Sequence, residues 1–198
     1  MDVRAQIAER RFRRRIAREV RPQRWAAYGA GTLVHPPLTL ERPEAVAIGA
    51  SSFVLEGATF SLGPEARVAI GSRTYLGRDL TVAALAAVEI GDDVMGSDRL
   101  LFADTAPAPT RSGVPVAAQQ LAPPRPVRIE DGVFLGTGAM VLAGVTVGAR
   151  SFVGAGTVVT RSVPANCVVV GNPARVVRHY DRVREAWVDG APAVGGEG

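Results

Sequence analysis

Residues 129–158 divide into sixes without remainder: IEDGVF, LGTGAM, VLAGVT, VGARSF, VGAGTV. The first place of each unit is aliphatic: Ile129, Leu135, Val141, Val147 and Val153, with Val159 continuing the series. Glycine often holds the second place (Gly136, Gly148, Gly154), and the fifth is small or β-branched: Val133, Ala139, Val145, Ser151, Thr157. Six matches neither the 3.6 period of a helix nor the alternation of a plain strand. It suits short strands joined by tight corners and wound into a parallel β-helix, with three units making one turn of a triangular prism. On this reading the first-place aliphatics point inward and stack on their equivalents in the next coil, about 4.8 Å away. The fifth-place residues fit cramped corners, and the second-place glycines relax the backbone beside each turn.

The same frame runs upstream, through Ile48, Val54 and Phe60, then Ile70, Leu76 and Val82, then Ile90, with Gly49, Gly71, Gly77 and Gly91 following at once. A first place falls near Phe102, and the frame resumes at Val127 to Ile129. Residues 103–126, DTAPAPTRSGVPVAAQQLAPPRP after Ala103, are therefore an extruded loop, of a length that is usually either functional or without fixed structure.

At 198 residues the chain fits one domain. No apolar stretch is long enough for a membrane span, and no apolar core follows the basic N-terminus as in a signal peptide, so a cytoplasmic location is expected. The single cysteine, Cys167, excludes an internal disulfide framework and reads as a structural thiol. All 23 basic residues are arginine, so no lysine is available as nucleophile or base. Residues 1–25 carry nine arginines against three acids, +6; the whole chain carries +4, leaving −2 for the remainder. Within IAERRFRRRIAREV, Ile7, Phe12, Ile16 and Val20 recur near helical period, predicting a basic amphipathic helix within residues 1–28. Docking on its own domain or on a neighbouring subunit is the leading role for this helix. Weak contact with an anionic membrane surface comes second. No nucleic-acid module follows, so no nucleic-acid partner is expected.

The stretch PPRPVRIEDGVFLGTGAMVLAGVTVGARSFVGAGTVVTRSVPANCVVVGNPARVVRHYD, residues 123–181, resembles the hexapeptide-repeat acyltransferases, closest to their maltose, galactoside and polysaccharide O-acetyltransferase branch. The resemblance extends from residue 29 to 181. It implies an all-β fold: a left-handed parallel β-helix over 29–175, preceded by the short helix, interrupted by the loop and followed by a C-terminal helix or tail over 176–198. It implies a homotrimer with clefts between subunits, and acetyl-CoA as co-substrate with no metal. The positions matching the family's CoA site are Thr137, Ala155, Thr160, Arg161, Arg175 and Arg178. Small residues there would let a narrow ligand lie against the backbone, and arginine forks suit phosphate.

In the same branch the loop opens with an Asp-His-x-His pattern whose histidine acts as general base. Here the residues are Asp104, Thr105, Ala106 and Pro107, so Thr105 and Pro107 occupy the histidine places and Asp104 is the remaining candidate base. Three functions follow. The first is a CoA-dependent O-acyltransferase acting on a hydroxyl of a saccharide or natural-product acceptor. The second is a catalytically degenerate trimer that binds CoA or a glycan. The third is the same cleft transferring to an amine, which needs less help from a base.

Overall fold

The computed structural model describes residues 11, 14–20, 23–108 and 110–192. Three parallel sheets form the faces of a prism, and the chain visits them in rotation as a left-handed β-helix. Face one stacks Ala27–Tyr28, Val46–Ile48, Arg67–Ile70, Ala87–Ile90, Val127–Ile129 and Thr146–Val147. Face two stacks Leu33–Val34, Phe53–Val54, Tyr75–Leu76, Met95–Gly96, Phe134–Leu135, Phe152–Val153 and Cys167–Val170. Face three stacks Leu38–Leu40, Ala58–Leu62, Thr81–Ala84, Leu101–Ala103, Met140–Val141 and Val158–Val159.

The sixfold frame becomes three internal columns. Ile48, Ile70, Ile90, Ile129 and Val147 are in register on face one. Leu40, Phe60, Val82, Phe102, Val141 and Val159 are in register on face three. Face two stacks Val34, Val54 and Leu76, then admits Gly96, because the side chains of Leu76 and Leu100 fill the space a Cβ would need. Nearly all these side chains are fully buried, each contributing about 1.5–3 kcal/mol of apolar burial.

The corners use glycine for two different reasons. At the fourth place of the units the backbone turns left-handed, and Gly132, Gly138, Gly144 and Gly156 meet that need. The second-place glycines do not adopt that conformation; they make room. A Cβ on Gly71, Gly77 or Gly91 would collide with Oδ1 of Asp92, Asp98 or Asp131 in the coil above. Each of those oxygens accepts the N–H of the residue just after the glycine: Ser72 at 2.7 Å, Arg78 at 2.8 Å, Asp92 at 2.8 Å. Steric clearance for a carboxylate, more than backbone relaxation, explains these positions.

Inside the edge between faces one and two runs a hydroxyl ladder. Thr32 Oγ1 donates to the Gly49 carbonyl and accepts the Ser52 N–H. Ser52 and Thr74 repeat the pattern one and two coils higher. Val94 and Val133 replace the hydroxyl in the next two coils, and Ser151 restores it beneath Cys167.

Both ends of the prism are closed by the chain itself. Ile16 and Val20, in the helical stretch Ile16–Val20, are buried against the first coils, and Trp25 Nε1 donates to the Val20 carbonyl at 3.1 Å. The docking role expected of the N-terminal helix is thus visible for these two residues; Ile7 and Phe12 lie outside the described residues. At the other end, the expected C-terminal helix or tail is instead an antiparallel hairpin, Arg175–Asp181 with Ala186–Asp189, continuing face two from Cys167–Val170. Val176, Val177, Tyr180 and Trp187 are β-branched or aromatic and prefer a pleated surface. Trp187 packs edge-on against both Phe152 and Tyr180. No helix among the described residues is long and apolar enough to cross a membrane.

Candidate functional site

The loop leaves face three after Ala103 and returns to face one at Val127, so its root sits on the edge between those faces. Asp104 anchors it. Its side chain is fully buried and accepts three backbone N–H bonds from the corner below: Leu85 at 2.8 Å, Ala86 at 2.6 Å and Ala87 at 2.9 Å. The Asp104 carbonyl accepts the Arg125 N–H at 2.8 Å, which closes the root. An acceptor hydroxyl cannot reach a carboxylate so enclosed. The base role entertained for Asp104 conflicts with this geometry, which gives it the work of holding the loop.

Thr105 and Pro107 lie in the neck just beyond. Thr105 Oγ1 donates to the Ala122 carbonyl at 3.3 Å, and Pro107 faces Leu121 across an antiparallel bridge. At the tip, the Gln119 amide binds the opposite segment, Thr110 to Val114. Its Oε1 accepts the N–H groups of Thr110 and Arg111 at 2.8 and 2.9 Å, and its Nε2 donates to the carbonyls of Arg111 and Val114 at 3.1 and 2.8 Å. The described residues of the excursion therefore form a hydrogen-bonded finger.

The six positions expected to hold the cofactor divide between two edges of the prism. Thr137 and Ala155 occupy successive corners between faces two and three, joined by the Gly156 N–H to the Thr137 carbonyl at 2.8 Å. Arg175 follows the Gly171–Ala174 turn above them and is exposed, its guanidinium donating to the Ala174 carbonyl at 2.9 Å. Thr160 and Arg161 stand on the edge between faces three and one, two coils above the loop root, and both are exposed. Between the edges, the outer surface of face three offers Leu101, Met140 and Val158 in register. The turn closes this strip at its upper end through Val158 N–H to Gly171 O, 3.0 Å, and Ala174 N–H to Val158 O, 2.9 Å. Arg178 is placed apart: it pairs with Asp189 at 3.2 Å and donates to the Trp187 carbonyl at 3.3 Å within the hairpin. Both partners of that pair are solvent-exposed, so it exchanges readily.

These placements test the residues against a nucleotide thioester. Arg161 forms no hydrogen bond or ion pair with the described residues, and Arg175 bonds only a neighbouring carbonyl, so both forks are available to phosphate. Small corner residues and the apolar strip suit a slender aliphatic-amide arm. The donor set fits the ligand.

The other reactive side chains are elsewhere. His35 lies on the edge of Thr137 but four coils below it, roughly 19 Å at about 4.8 Å per coil. Burial pushes its imidazole below the usual range against the pull of Glu56, 3.8 Å away, whose carboxyl is itself held low by a hydrogen bond from Arg78. His179 binds the Gly190 carbonyl through Nδ1 at 2.9 Å. Cys167 is buried at the top of the hydroxyl ladder, above Ser151, and burial raises its thiol, which fits a structural role. Among the described residues no three of His, Cys, Asp and Glu gather as a metal site.

Three kinds of comparison bear on this arrangement. Residues 126–161 match the family model described as the hexapeptide repeat of succinyl-transferase. A Schizosaccharomyces pombe protein classed among the acetyltransferases, C18B11.09c, is 35% identical over 118 residues, covering 58% of this chain and 54% of that protein. The 2,3,4,5-tetrahydropyridine-2,6-dicarboxylate N-acetyltransferase of Staphylococcus aureus is 44% identical over 72 residues, 35% of this chain and 30% of the enzyme. The chain thus spans about half the length, or less, of these curated relatives. Among solved structures, the hexapeptide-repeat acetyltransferase VCA0836 of Vibrio cholerae, complexed with acetyl-CoA, is 25% identical with a TM-score of 0.58, covering 79% of this chain and 72% of that one. AntD, an N-acyltransferase of Bacillus cereus solved with dTDP and 3-hydroxybutyryl-CoA, shares the fold at 18% identity, with a TM-score of 0.72 over 85% of this chain and 90% of that one.

Proposed function

From a chain of hexapeptide repeats folded as the left-handed β-helix of the hexapeptide-repeat acyltransferases, we propose an acyl-CoA-dependent acyltransferase whose acceptor nucleophile is an amine. The observation that carries the acceptor class is the loop root. Thr105 and Pro107 occupy the histidine places, the remaining candidate base, Asp104, is sealed beneath three N–H donors, and the loop has no histidine. A hydroxyl needs a base to become a nucleophile; a neutral amine attacks with its own lone pair. The new N–C bond forms as the C–S bond breaks, and the proton lost by nitrogen leaves with the thiolate. The N-acyltransferases among the relatives support this choice.

The acyl-CoA lies along the outer strip of face three, its phosphates near Arg161 and Arg175 and its arm beside Thr137, Ala155 and Thr160. Because the two edges are separated by a whole face, one cleft draws them from adjacent subunits of a homotrimer. The outer column of face two supplies a surface such an assembly would cover: Phe53, Tyr75, Met95 and Phe152 are aligned and exposed, Met95 by 58%. The expected setting is the cytoplasm, where acyl-CoA is available.

Transfer to a saccharide hydroxyl remains the second reading, favoured by the loop ending LAPPRPVRI, which resembles the polysaccharide O-acetyltransferases. Thiol release from acetyl-CoA, followed with amino sugars and their hydroxyl counterparts side by side, separates the readings. The expected result is release with the amines alone, and a KM for acetyl-CoA raised about tenfold in Arg161→Gln and Arg175→Gln. Acetyl-CoA binding without release to any acceptor would identify a non-catalytic binder.

A further inference from the structure

We infer that the tip of the finger selects the acceptor, and that Arg111 binds a phosphate or carboxylate on it. The inference rests on the acyltransferase reading and names the substrate class within it: amines that also carry an anion.

The finger is built in two stages. Its neck is a short antiparallel ladder, with Ala122 N–H to Ala106 O at 3.0 Å, Ala108 N–H to Gln120 O at 3.4 Å, and Pro107 opposite Leu121. Above the neck, residues Ala108, Thr110, Arg111, Val114, Leu121 and Pro123 line a concavity of about 470 Å³. Gln119 and Gln120 also line it, so its walls are mixed in character, and one formal charge, that of Arg111, faces it.

Arg111 stands apart from the other acidic and basic residues of the finger. Residues 104–126 contain three residues of acidic or basic type: Asp104, Arg111 and Arg125. Asp104 is buried at the root, and Arg125 lies across Gly144 beside it. Arg111 alone stands at the tip. It is exposed, and its guanidinium forms no hydrogen bond or ion pair with the described residues. A free fork of donors lining a partly enclosed concavity is suited to an oxyanion, and the neighbouring side-chain amides are compatible with one.

Gln119 fixes where that fork is presented. Each polar atom of its amide is used on the Thr110–Val114 segment, two of its bonds falling on the main chain of Arg111 itself. Ordering of this kind matters for a binding residue and has no evident use in a mere connection. Arg111 is a candidate specificity residue; Gln119 is a positioning residue acting through it.

The test uses three matched amines: glucosamine, glucosamine 1-phosphate and glucosaminic acid. Turnover is followed by thiol release and direct binding by calorimetry. Expected are a lower KM for the phosphate or carboxylate compound than for glucosamine, and a KM for it raised about 10- to 100-fold in Arg111→Gln with kcat retained. Glucosamine itself should be unaffected. Arg111→Lys should recover part of the loss, and Gln119→Ala should raise the same KM without altering the neutral amine. The two anionic arms decide between phosphate and carboxylate. Equal use of charged and neutral amines, or an anion preference that survives Arg111→Gln, overturns the inference. Absence of thiol release with every acceptor overturns the acyltransferase reading; calorimetry then still decides the subsite, because anion binding must be present in the parent and lost in Arg111→Gln.

Discussion

Replacing Asp104 separates an anchoring carboxylate from a catalytic one. Asp104→Ala removes the acceptor of three backbone N–H groups, those of Leu85, Ala86 and Ala87. Bonds to a charged acceptor contribute about 1.5–3 kcal/mol each, but these share one side chain and do not add fully. The corner is partly buried, so water recovers some of the deficit. A net loss of about 3–5 kcal/mol follows, a large share of the 5–15 kcal/mol typical of a domain. Asp104→Asn keeps the volume but turns an amide NH₂ toward a donor, and should lose about 2–4 kcal/mol. Urea denaturation measures both, and amide exchange at residues 85–87 should quicken in each. Catalysis should decline only as far as the loop is loosened, with KM rising more than kcat falls. Full stability in Asp104→Asn together with a thousandfold drop in kcat would refute the reasoning and make Asp104 the base.

Gly91→Ala should lose about 1–3 kcal/mol in thermal denaturation, because the new methyl displaces Asp131 from the Asp92 N–H; adding Asp131→Ala should add little to that loss. His35 is held neutral by burial, so its folded pKa lies below the unfolded value of 6.5. Its contribution to stability is complete above that value and declines as pH falls through the lower, folded one. His35→Gln should accordingly flatten this acid limb in urea titrations between pH 7 and 5. Met95→Asp puts a charge into the middle of the exposed column on face two, and sedimentation should show the proposed trimer shifted toward monomer with the β-sheet spectrum intact.

The inward frame was legible because each aliphatic repeats at a fixed interval, and the structure keeps every one of those columns in place. The reason for the second-place glycines was not legible. For Gly71, Gly77 and Gly91 it lies in a carboxylate one coil away, 21 residues on for Gly71 and Asp92 but 40 for Gly91 and Asp131, since the loop intervenes; for Gly49, Gly136 and Gly148 it lies in the main chain of the next coil. No fixed spacing links such partners. Asp104 was legible as the carboxylate at the start of the loop, but the bonds that hold it were not: its partners are three main-chain groups, which carry no sequence signature. Arg178 looked like a free cation because Asp189 meets it only when the C-terminal segment folds back as a strand. The ordering of the loop tip depends on Gln119, whose residue type announces nothing until its partners are adjacent. Alternation in RVVRHYD was the available clue to the terminal hairpin.

The strands on either side of the finger meet as though nothing lay between them. Val88 pairs with Val127, Glu89 with Arg128 and Ile90 with Ile129, and Arg128 also binds Glu89 at 2.8 Å. The coil below the insertion and the coil above it are therefore joined by their own bonds along face one, where the finger ends. Lengthening a loop adds closure entropy only logarithmically, about 0.6 kcal/mol per doubling. The finger is thus an exchangeable cassette. Selection can rewrite its length and lining, and with them the molecule it admits, while the scaffold that presents it stays the same.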